Sequence, residues 1–271
     1  MSERIAFIGG GNMANAIIGG LIGQGLPAQN IDVIEPFPEA QEKLKSQFSI
    51  VAQAQPGAFL SPAALVIWAV KPQTFKEAAL QVRFHTKTAL HLSVAAGIRS
   101  DSIARWLGTE KIVRAMPNTP ALIGKGMTAL FARPAATGQD KQWVSQVIAS
   151  TGEFLWLDAE DQLDAVTALS GSGPAYMFYF MEAMTAAGAE MGLPREQAYK
   201  LAVATFIGAG ELARSSGEPP EILRQRVTSK GGTTHAAISS MEHDNIKAQF
   251  GRAMHAARQR AKELGDEFGG A

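Results

Sequence analysis

The fold of this chain is decided by the stretch Ile5-Ala6-Phe7-Ile8-Gly9-Gly10-Gly11-Asn12-Met13-Ala14. Its apolar residues predict a buried β-strand, and its glycines predict a tight turn that opens a helix. Gly9, Gly11 and Ala14 occupy the small-residue positions of the dinucleotide fingerprint, which serve the turn, the approach of a pyrophosphate and helix–strand packing. A lone GxGxxG is weak, but here a strand precedes it and a helix follows. The stretch predicts a dinucleotide site; the alternative is a glycine-rich turn without a ligand.

Outward from this turn, the first half of the chain alternates strand-like and helix-like segments. The strand-like runs are Ile5–Ile8, Ile31–Ile34, Leu65–Val70, Ala89–Val94 and Lys111–Ala115, with Met127–Phe131 and Phe154–Leu157 near the sheet edge. The helix-like segments are Asn12–Gln24, Pro38–Gln47, Gln73–Gln81 and Ser100–Leu107. This alternation predicts a doubly wound parallel α/β sheet, which we assign to a dinucleotide-binding domain over residues 1–162.

The second half, residues 163–271, shows no strand pattern and is predicted to be all-helical. Its helical segments are Pro174–Met191, Arg195–Ser215, Pro220–Val227, Thr234–Met241 and Asp244–Phe268. The segment Tyr176–Met184 is apolar on nearly every side, whereas a surface helix carries one apolar stripe. A small helical domain has little interior for such a helix, so burial against a second subunit is expected. The alternative is a central helix wrapped by its own neighbours.

Composition restricts the functional classes. The formal net charge is +0 and no basic run stands out, so nucleic acid is not an expected partner. The absence of cysteine excludes disulfides and thiolate catalysis, and the five scattered histidines predict no metal site. We expect no membrane association and a cytoplasmic location, since neither a signal peptide nor an uncharged apolar span is recognisable.

Three further segments should lie beside the glycine turn, because the carboxyl ends of parallel strands meet at one edge, where ligands bind. They are Ala69–Pro72, Ser93–Gly97 and Ala115–Pro120, whose small residues and prolines suit a nicotinamide ribose. The predicted cofactor-binding residues are Ile8, Gly9, Gly10, Gly11, Asn12, Met13, Ala14, Glu35, Ala69, Val70, Lys71, Pro72, Ala95, Ala96, Gly97 and Asn118.

Glu35 ends the second strand-like run, where an acid usually accepts hydrogen bonds from the adenosine ribose. Its charge would repel a 2′-phosphate, and Pro36-Phe37-Pro38 offers no Arg or Ser to hold one. The cofactor is therefore NADPH or NADH, with NADH favoured. The alternative is that Glu35 points to solvent.

Near the other end lies Val227-Thr228-Ser229-Lys230-Gly231-Gly232-Thr233-Thr234-His235. Glycines and hydroxyl residues at the start of a helix are suited to bind a small carboxylate. The predicted substrate-binding residues are Ser229, Gly231, Gly232, Thr233 and Thr234. Together with the cofactor turn, this loop indicates a redox enzyme acting on a small acid.

Taken in order, these segments resemble the pyrroline-5-carboxylate reductase family over almost the whole chain. The resemblance rests on Gly9–Ala14, Ala69–Pro72, Val94–Gly97, Arg114–Pro120, Ser170–Tyr176 and, most specifically, Pro220–Glu242. Two departures are Lys230, where many members carry proline, and Glu35-Pro36-Phe37, where many members grip the NADPH phosphate. The second leaves the cofactor preference open.

The resemblance implies a Rossmann domain followed by an all-helical dimerisation domain, and homodimers that often form rings of five dimers. It implies reduction of 1-pyrroline-5-carboxylate to L-proline by hydride transfer, the last step of proline biosynthesis. It places Thr234 beside the imine nitrogen as the catalytic contact; a helix N-cap is the alternative role. His235 is the rival proton donor, but the next residue on a helix projects about 100° away.

Two other functions are considered. A 3-hydroxyacid-type dehydrogenase also joins these two halves, but it relies on a lysine base, and nothing around Lys200 supports that role. A non-enzymatic nucleotide-sensing module would need no anion loop.

Overall fold

The computed structural model describes residues 3–269. By their contacts these residues group into two compact units, 3–172 with 257–269 and 173–256. The functional division predicted after residue 162 stays a prediction.

The first unit is built on one seven-stranded sheet in the order β2-β1-β3-β4-β5-β6-β7. The strands are β1 (Arg4–Ile8), β2 (Ile31–Ile34), β3 (Ala63–Trp68), β4 (Leu90–Ser93), β5 (Ile112–Met116), β6 (Gly126–Ala132) and β7 (Gly152–Trp156). All neighbouring pairs are parallel except β5 and β6. The predicted Rossmann-type sheet is confirmed, with one antiparallel pair that the alternation did not predict. The connection 117–125 is too short for the crossover of about a dozen residues that parallel strands need.

Helices cover both faces of this sheet. They are α1 (Asn12–Gly23), α2 (Pro38–Phe48), α3 (Pro72–Val82), α4 (Ser100–Leu107), α5 (Gly138–Ala149) and α6 (Gln162–Val166). Sequence reasoning missed α5 and α6. The start of α5 was recognisable, because Thr137 and Asp140 form a capping box. A π-helical turn at Thr167–Gly171 follows α6.

The alternation of side chains along β1 divides the core into two layers. Ile5 and Phe7 pack with α1 and α5 on one face. Ala6 and Ile8 point to the other face, where Trp68 packs with α3 and α4. Burial on both faces explains why these strands are almost wholly apolar.

His91 is the exception inside this core. It lies on β4 with 1 % of its surface exposed. The Trp68 Nε1–H donates to its Nδ1 at 3.0 Å, which leaves the Nε2–H to donate to the Thr86 carbonyl at 3.2 Å. Burial lowers the pKa of His91 from 6.5 to about 4, so the imidazole is neutral in the folded chain at physiological pH.

We expect the free energy of unfolding to decrease as pH falls from 6.5 towards about 4. In that window the unfolded chain binds a proton that buried His91 does not, and the full difference is worth about 3 kcal/mol. Denaturant unfolding at pH 7 and pH 4.5 measures this, with exposed His235→Gln as the control. His91→Gln should flatten the pH dependence; an unchanged dependence would contradict the assignment.

The second unit is helical. The remaining helices are α7 (Gly173–Glu190), α8 (Arg195–Ser216), α9 (Pro220–Arg226), α10 (Thr233–His243) and α11 (Ile246–Phe268), the last continuing into the first unit. Tyr176 and Phe180 on α7 pack edge-on against Phe250 of α11, with ring centroids 5.5 and 5.7 Å apart. Other apolar side chains of α7 are exposed, including Phe178 at 57 % and Tyr179 at 69 %. Among residues 3–269 no helix is long and apolar enough to cross a membrane.

Candidate cofactor and substrate sites

The predicted cofactor loops lie side by side at one edge of the sheet. The Gly9 N–H donates to the Ile34 carbonyl at 2.8 Å and the Ala69 N–H to the Ile8 carbonyl at 2.8 Å. In the same way, the Val94 N–H donates to the Trp68 carbonyl at 3.0 Å. The sheet order also reverses at β1, which has β2 on one side and β3 on the other. Ligands of doubly wound sheets bind at such a switch point.

Packing explains the first two glycines of the turn. Gly9 has φ +98°, and a Cβ there would lie 2.6 Å from the Ala69 carbonyl oxygen. A Cβ on Gly10 would lie 2.7 Å from Leu44 Cδ1. Gly9 therefore needs glycine whether or not a nucleotide binds, and a larger residue at Gly10 would require the buried Leu44 side chain to move.

Packing does not explain Gly11. No described atom lies within 4 Å of the position its Cβ would take, and Gly11 is the N-cap of α1 without a side-chain cap within the described chain. Glycine at this position suits the close approach of a ligand, and the free N–H groups of the helix start suit a pyrophosphate. Ala14, the third fingerprint position, is fully buried. The turn thus fits a dinucleotide better than a glycine-rich turn without a ligand.

Asn15 is a structural residue of this turn that sequence reasoning missed. Its Nδ2 donates to the carbonyls of Gly10 and Gly11 at 2.6 and 2.8 Å. These two hydrogen bonds fix the Gly10 and Gly11 carbonyls towards α1. An asparagine in the first turn of a helix was the only sequence signal, since this residue type bonds to nearby backbone.

Glu35 is 5 % exposed and does not point to solvent. Its Oε2 accepts from the Gly10 N–H at 2.7 Å, and its Oε1 accepts from the Phe37 N–H at 2.9 Å. The carboxylate therefore faces the glycine turn, and each oxygen keeps a further lone pair for a hydroxyl.

Asn118 joins three segments at the end of β5. Its Nδ2 donates to the Ser170 carbonyl at 3.1 Å, and its Oδ1 accepts from the Met127 N–H at 2.9 Å. Asn118 thereby fixes the π-helical turn and the start of β6 relative to its own loop. No local pattern could have shown a bond between residues this far apart in sequence. The predicted contact of Asn118 with the cofactor stays a prediction.

The predicted substrate loop lies at the start of α10. Gly231 has φ +77°, and a Cβ on Gly232 would lie 2.7 Å from Ser229 Oγ, so both positions favour glycine. Gly232 is the N-cap, and no side chain of the described residues caps the helix. Thr233 begins the helix and Thr234 is its second residue. Thr234 is therefore not the N-cap, the alternative role considered for it, and His235 is exposed.

The described part of the chain brings together no cluster of three or more His, Asp or Glu that could hold a metal ion.

A Rossmann-type sheet whose glycine turn is shaped for a ligand, in a chain that continues into a helical unit, is typical of nicotinamide-dependent oxidoreductases. Comparison with known families agrees. Residues 4–97 match the model described as NADP oxidoreductase, coenzyme F420-dependent. Residues 160–264 match the model described as pyrroline-5-carboxylate reductase dimerisation.

Full-length relatives narrow the class to one family. The chain is 43 % identical to pyrroline-5-carboxylate reductase of Pseudomonas aeruginosa, with 99 % of each chain covered. It is 38 % identical to that of Escherichia coli K12, with 97 % of this chain and 99 % of the relative covered. The chain belongs to the pyrroline-5-carboxylate reductase family.

Solved structures agree. A pyrroline-5-carboxylate reductase from Coxiella burnetii superposes with a TM-score of 0.90 at 37 % identity, covering 97 % of this chain and 99 % of that one. A Plasmodium falciparum pyrroline carboxylate reductase with NADP bound superposes with a TM-score of 0.87 at 26 % identity, covering 97 % and 98 %.

Proposed function

We propose that the chain reduces 1-pyrroline-5-carboxylate to L-proline with NADPH or NADH. The observation that carries the proposal is the start of α10 in a chain of this family: no side chain of the described residues caps the helix there, and Thr234 lies in its first turn. The bound nicotinamide supplies a hydride to the imine carbon, and the ring nitrogen ends with one proton more. The protein has to orient two reactants, which supplies much of the lowering of the barrier.

The first unit would hold the cofactor. Gly9–Ala14 and the start of α1 would bind the pyrophosphate, since the helix start favours an anion. Glu35 would accept hydrogen bonds from the adenosine ribose. Ala69–Pro72 and Ala95–Gly97, at neighbouring strand ends, would contact the nicotinamide half.

The second unit would hold the substrate. The N–H groups of Thr233 and Thr234 would bind the carboxylate, with the Ser229 and Thr233 hydroxyls beside it, while the Gly232 N–H donates to the Ser229 carbonyl at 3.0 Å and holds the loop. The Thr234 hydroxyl would hydrogen-bond the imine nitrogen. Because a threonine hydroxyl is a poor acid, we propose that it orients the imine by this hydrogen bond, and that the proton gained by the ring nitrogen comes from water.

We expect the purified protein to oxidise NADH or NADPH only when pyrroline-5-carboxylate is present. The assay follows absorbance of the reduced nicotinamide, with proline measured as the product. Proline and 3-hydroxyacids offered with NAD⁺ separate this reaction from a 3-hydroxyacid-type dehydrogenase. Tight nucleotide binding without turnover of any imine would instead support a nucleotide-sensing module and overturn the proposal.

We propose that the partner is a second copy of the chain, and that dimers assemble further, with a ring of five dimers as one form. The chain carries the family's dimerisation domain. Exposed apolar side chains continue from α7 along α8, where Tyr199, Leu201 and Ile207 are exposed by 57 to 60 %. Surface of this kind marks an interface. Nucleic acid and membranes are not part of the proposal, and the proposed compartment is the cytoplasm.

We expect an obligate dimer that involves α7 and α8, with no folded monomer in sedimentation at low micromolar concentration. Ile207→Glu should prevent association, because it places a charge in the apolar surface. Phe84→Glu, at an equally exposed apolar position of the first unit, is the matched control and should leave the dimer intact. A stable, active monomer of the wild type would refute the proposal.

A further inference from the structure

The carboxyl-terminal part of α11 packs against one of the proposed cofactor loops. Gly97, the last residue of the loop Ala95–Gly97, has φ +81°. A Cβ on Gly97 would lie 3.0 Å from Leu264 Cβ, and a Cβ on Gly265 would lie 2.7 Å from the Gly97 carbonyl oxygen. Glycines on both sides thus allow the helix backbone to approach the loop backbone closely.

We propose that Gly265 is a positioning residue for the cofactor loop: the closely packed end of α11 fixes where Ala95–Gly97 presents its backbone to the nicotinamide half of the dinucleotide. This inference rests on the proposed function. Gly265 itself touches neither cofactor nor substrate in the proposal, and it acts through Gly97.

The helix end is held in place from several sides. The Ser102 Oγ and Arg105 Nη2 donate to the Gly269 carbonyl at 2.7 and 3.0 Å, and Arg99 pairs with Asp266 at 3.7 Å. Phe268 packs against the core layer beneath α3 and α4. Several anchors over one helical turn mean that the helix cannot easily move away from the loop.

Among the described residues, hydrogen bonds hold the first residue of the loop and the chain just beyond the loop, but none holds Ala96 or Gly97. At the start of the loop, the Ala95 N–H donates to Ser93 Oγ at 3.3 Å. After it, the Ser100 N–H and Oγ donate to the Glu160 carboxylate at 2.6 and 2.5 Å. Glu160 is itself paired at 2.7 Å with Arg114, whose guanidinium is buried. A methyl group added to Gly265 must therefore displace residues 95–97.

Gly265→Ala separates this role from a structural one. Alanine is the better helix former, so helix propensity alone predicts a variant at least as stable as the wild type. Overpacking predicts a loss of NADH affinity of about tenfold or more. ADP, which lacks both the nicotinamide ring and its ribose, should bind the variant within about twofold of the wild type.

Gly251→Ala is the matched control, since Gly251 lies in the same helix with no described atom within 4 Å of its Cβ position. Dissociation constants for NADH and ADP are measured by calorimetry, with a thermal melt for each variant. Equal NADH affinity in Gly265→Ala and the wild type would overturn the inference. A wild type that binds neither NADH nor NADPH would instead overturn the proposed function.

Should Gly265→Ala fail to fold, Ser102→Ala decides the question, because it removes one anchor of the helix end and adds no bulk. Loss of this one partly buried hydrogen bond corresponds to about a fivefold change, which we expect in the affinity for NADH and not in the affinity for ADP. Unchanged NADH binding in a folded Ser102→Ala would overturn the inference.

Discussion

Thr234→Ala should lower turnover of the imine by roughly 100- to 1000-fold, the loss that removal of one hydrogen-bond donor at a reacting centre typically causes. Affinity for the reduced nicotinamide should stay close to that of the wild type, because the cofactor is proposed to bind the first unit. Turnover under saturating cofactor and a dissociation constant for NADH measure the two quantities separately.

The position of Thr234 in α10 separates an effect on the reaction from an effect on stability, which the sequence alone did not do. An N-cap threonine replaced by alanine would cost about 1 kcal/mol of stability. Gly232 is the N-cap and Thr234 lies two residues further on, so no cap is lost. A melting temperature at or above that of the wild type is expected, because alanine is the better helix former. A large rate loss without a stability loss would assign the hydroxyl to the reaction.

His235→Ala is the matched control, on the adjacent and exposed residue. His235→Ala should keep most of the wild-type activity. Thr234→Ser should retain part of the activity that Thr234→Ala loses, because serine also carries a hydroxyl. A large rate loss in His235→Ala with a mild one in Thr234→Ala would reverse the assignment and make His235 the proton donor.

Most elements of this fold could be predicted, because their signals are local. The strand Ile31–Ile34 and the helix Ser100–Leu107 have the predicted bounds, and other predicted elements differ by a few residues at their ends. Apolar runs, helix-starting prolines and the glycine turn all act within a few residues of chain. The order of β-α alternation then predicts a mainly parallel sheet.

What could not be predicted depends on residues far apart in sequence. The bond from Asn118 to Ser170, the pairing of Arg114 with Glu160 and the contact of Gly97 with Gly265 each join distant segments. The antiparallel β6 followed from a connection too short for a crossover, which the strand pattern alone did not reveal. The direction of a side chain also could not be predicted. The sequence was compatible with a Glu35 side chain that faces solvent and with one that faces the glycine turn.

Glu35 decides the preference between the two cofactors in our proposal, so Glu35→Gln should raise the ratio of kcat/KM with NADPH to kcat/KM with NADH. Two unit charges 4 Å apart repel by about 1 kcal/mol in water and about 4 kcal/mol near a protein surface. Since about 1.4 kcal/mol corresponds to tenfold, a change of about tenfold or more in the ratio is expected.

The ratio, rather than either constant alone, is the informative quantity. Glu35 also accepts the N–H groups of Gly10 and Phe37, and glutamine can replace only one of these acceptor oxygens. The resulting disturbance of the glycine turn weakens both cofactors alike and cancels in the ratio. Glu35→Ser removes both acceptors as well as the charge, so it should lower both constants further while giving a similar ratio.

Asp32→Asn is the matched control, because it removes an acid from β2, the strand that Glu35 follows. Asp32 pairs with Arg4 at 2.7 Å and does not follow the strand end where the ribose is proposed to bind. Its removal should leave the cofactor ratio unchanged. If the ratio stays constant in Glu35→Gln and Glu35→Ser as well, the carboxylate only supports the glycine turn, and the preference between NADH and NADPH must arise elsewhere in the chain.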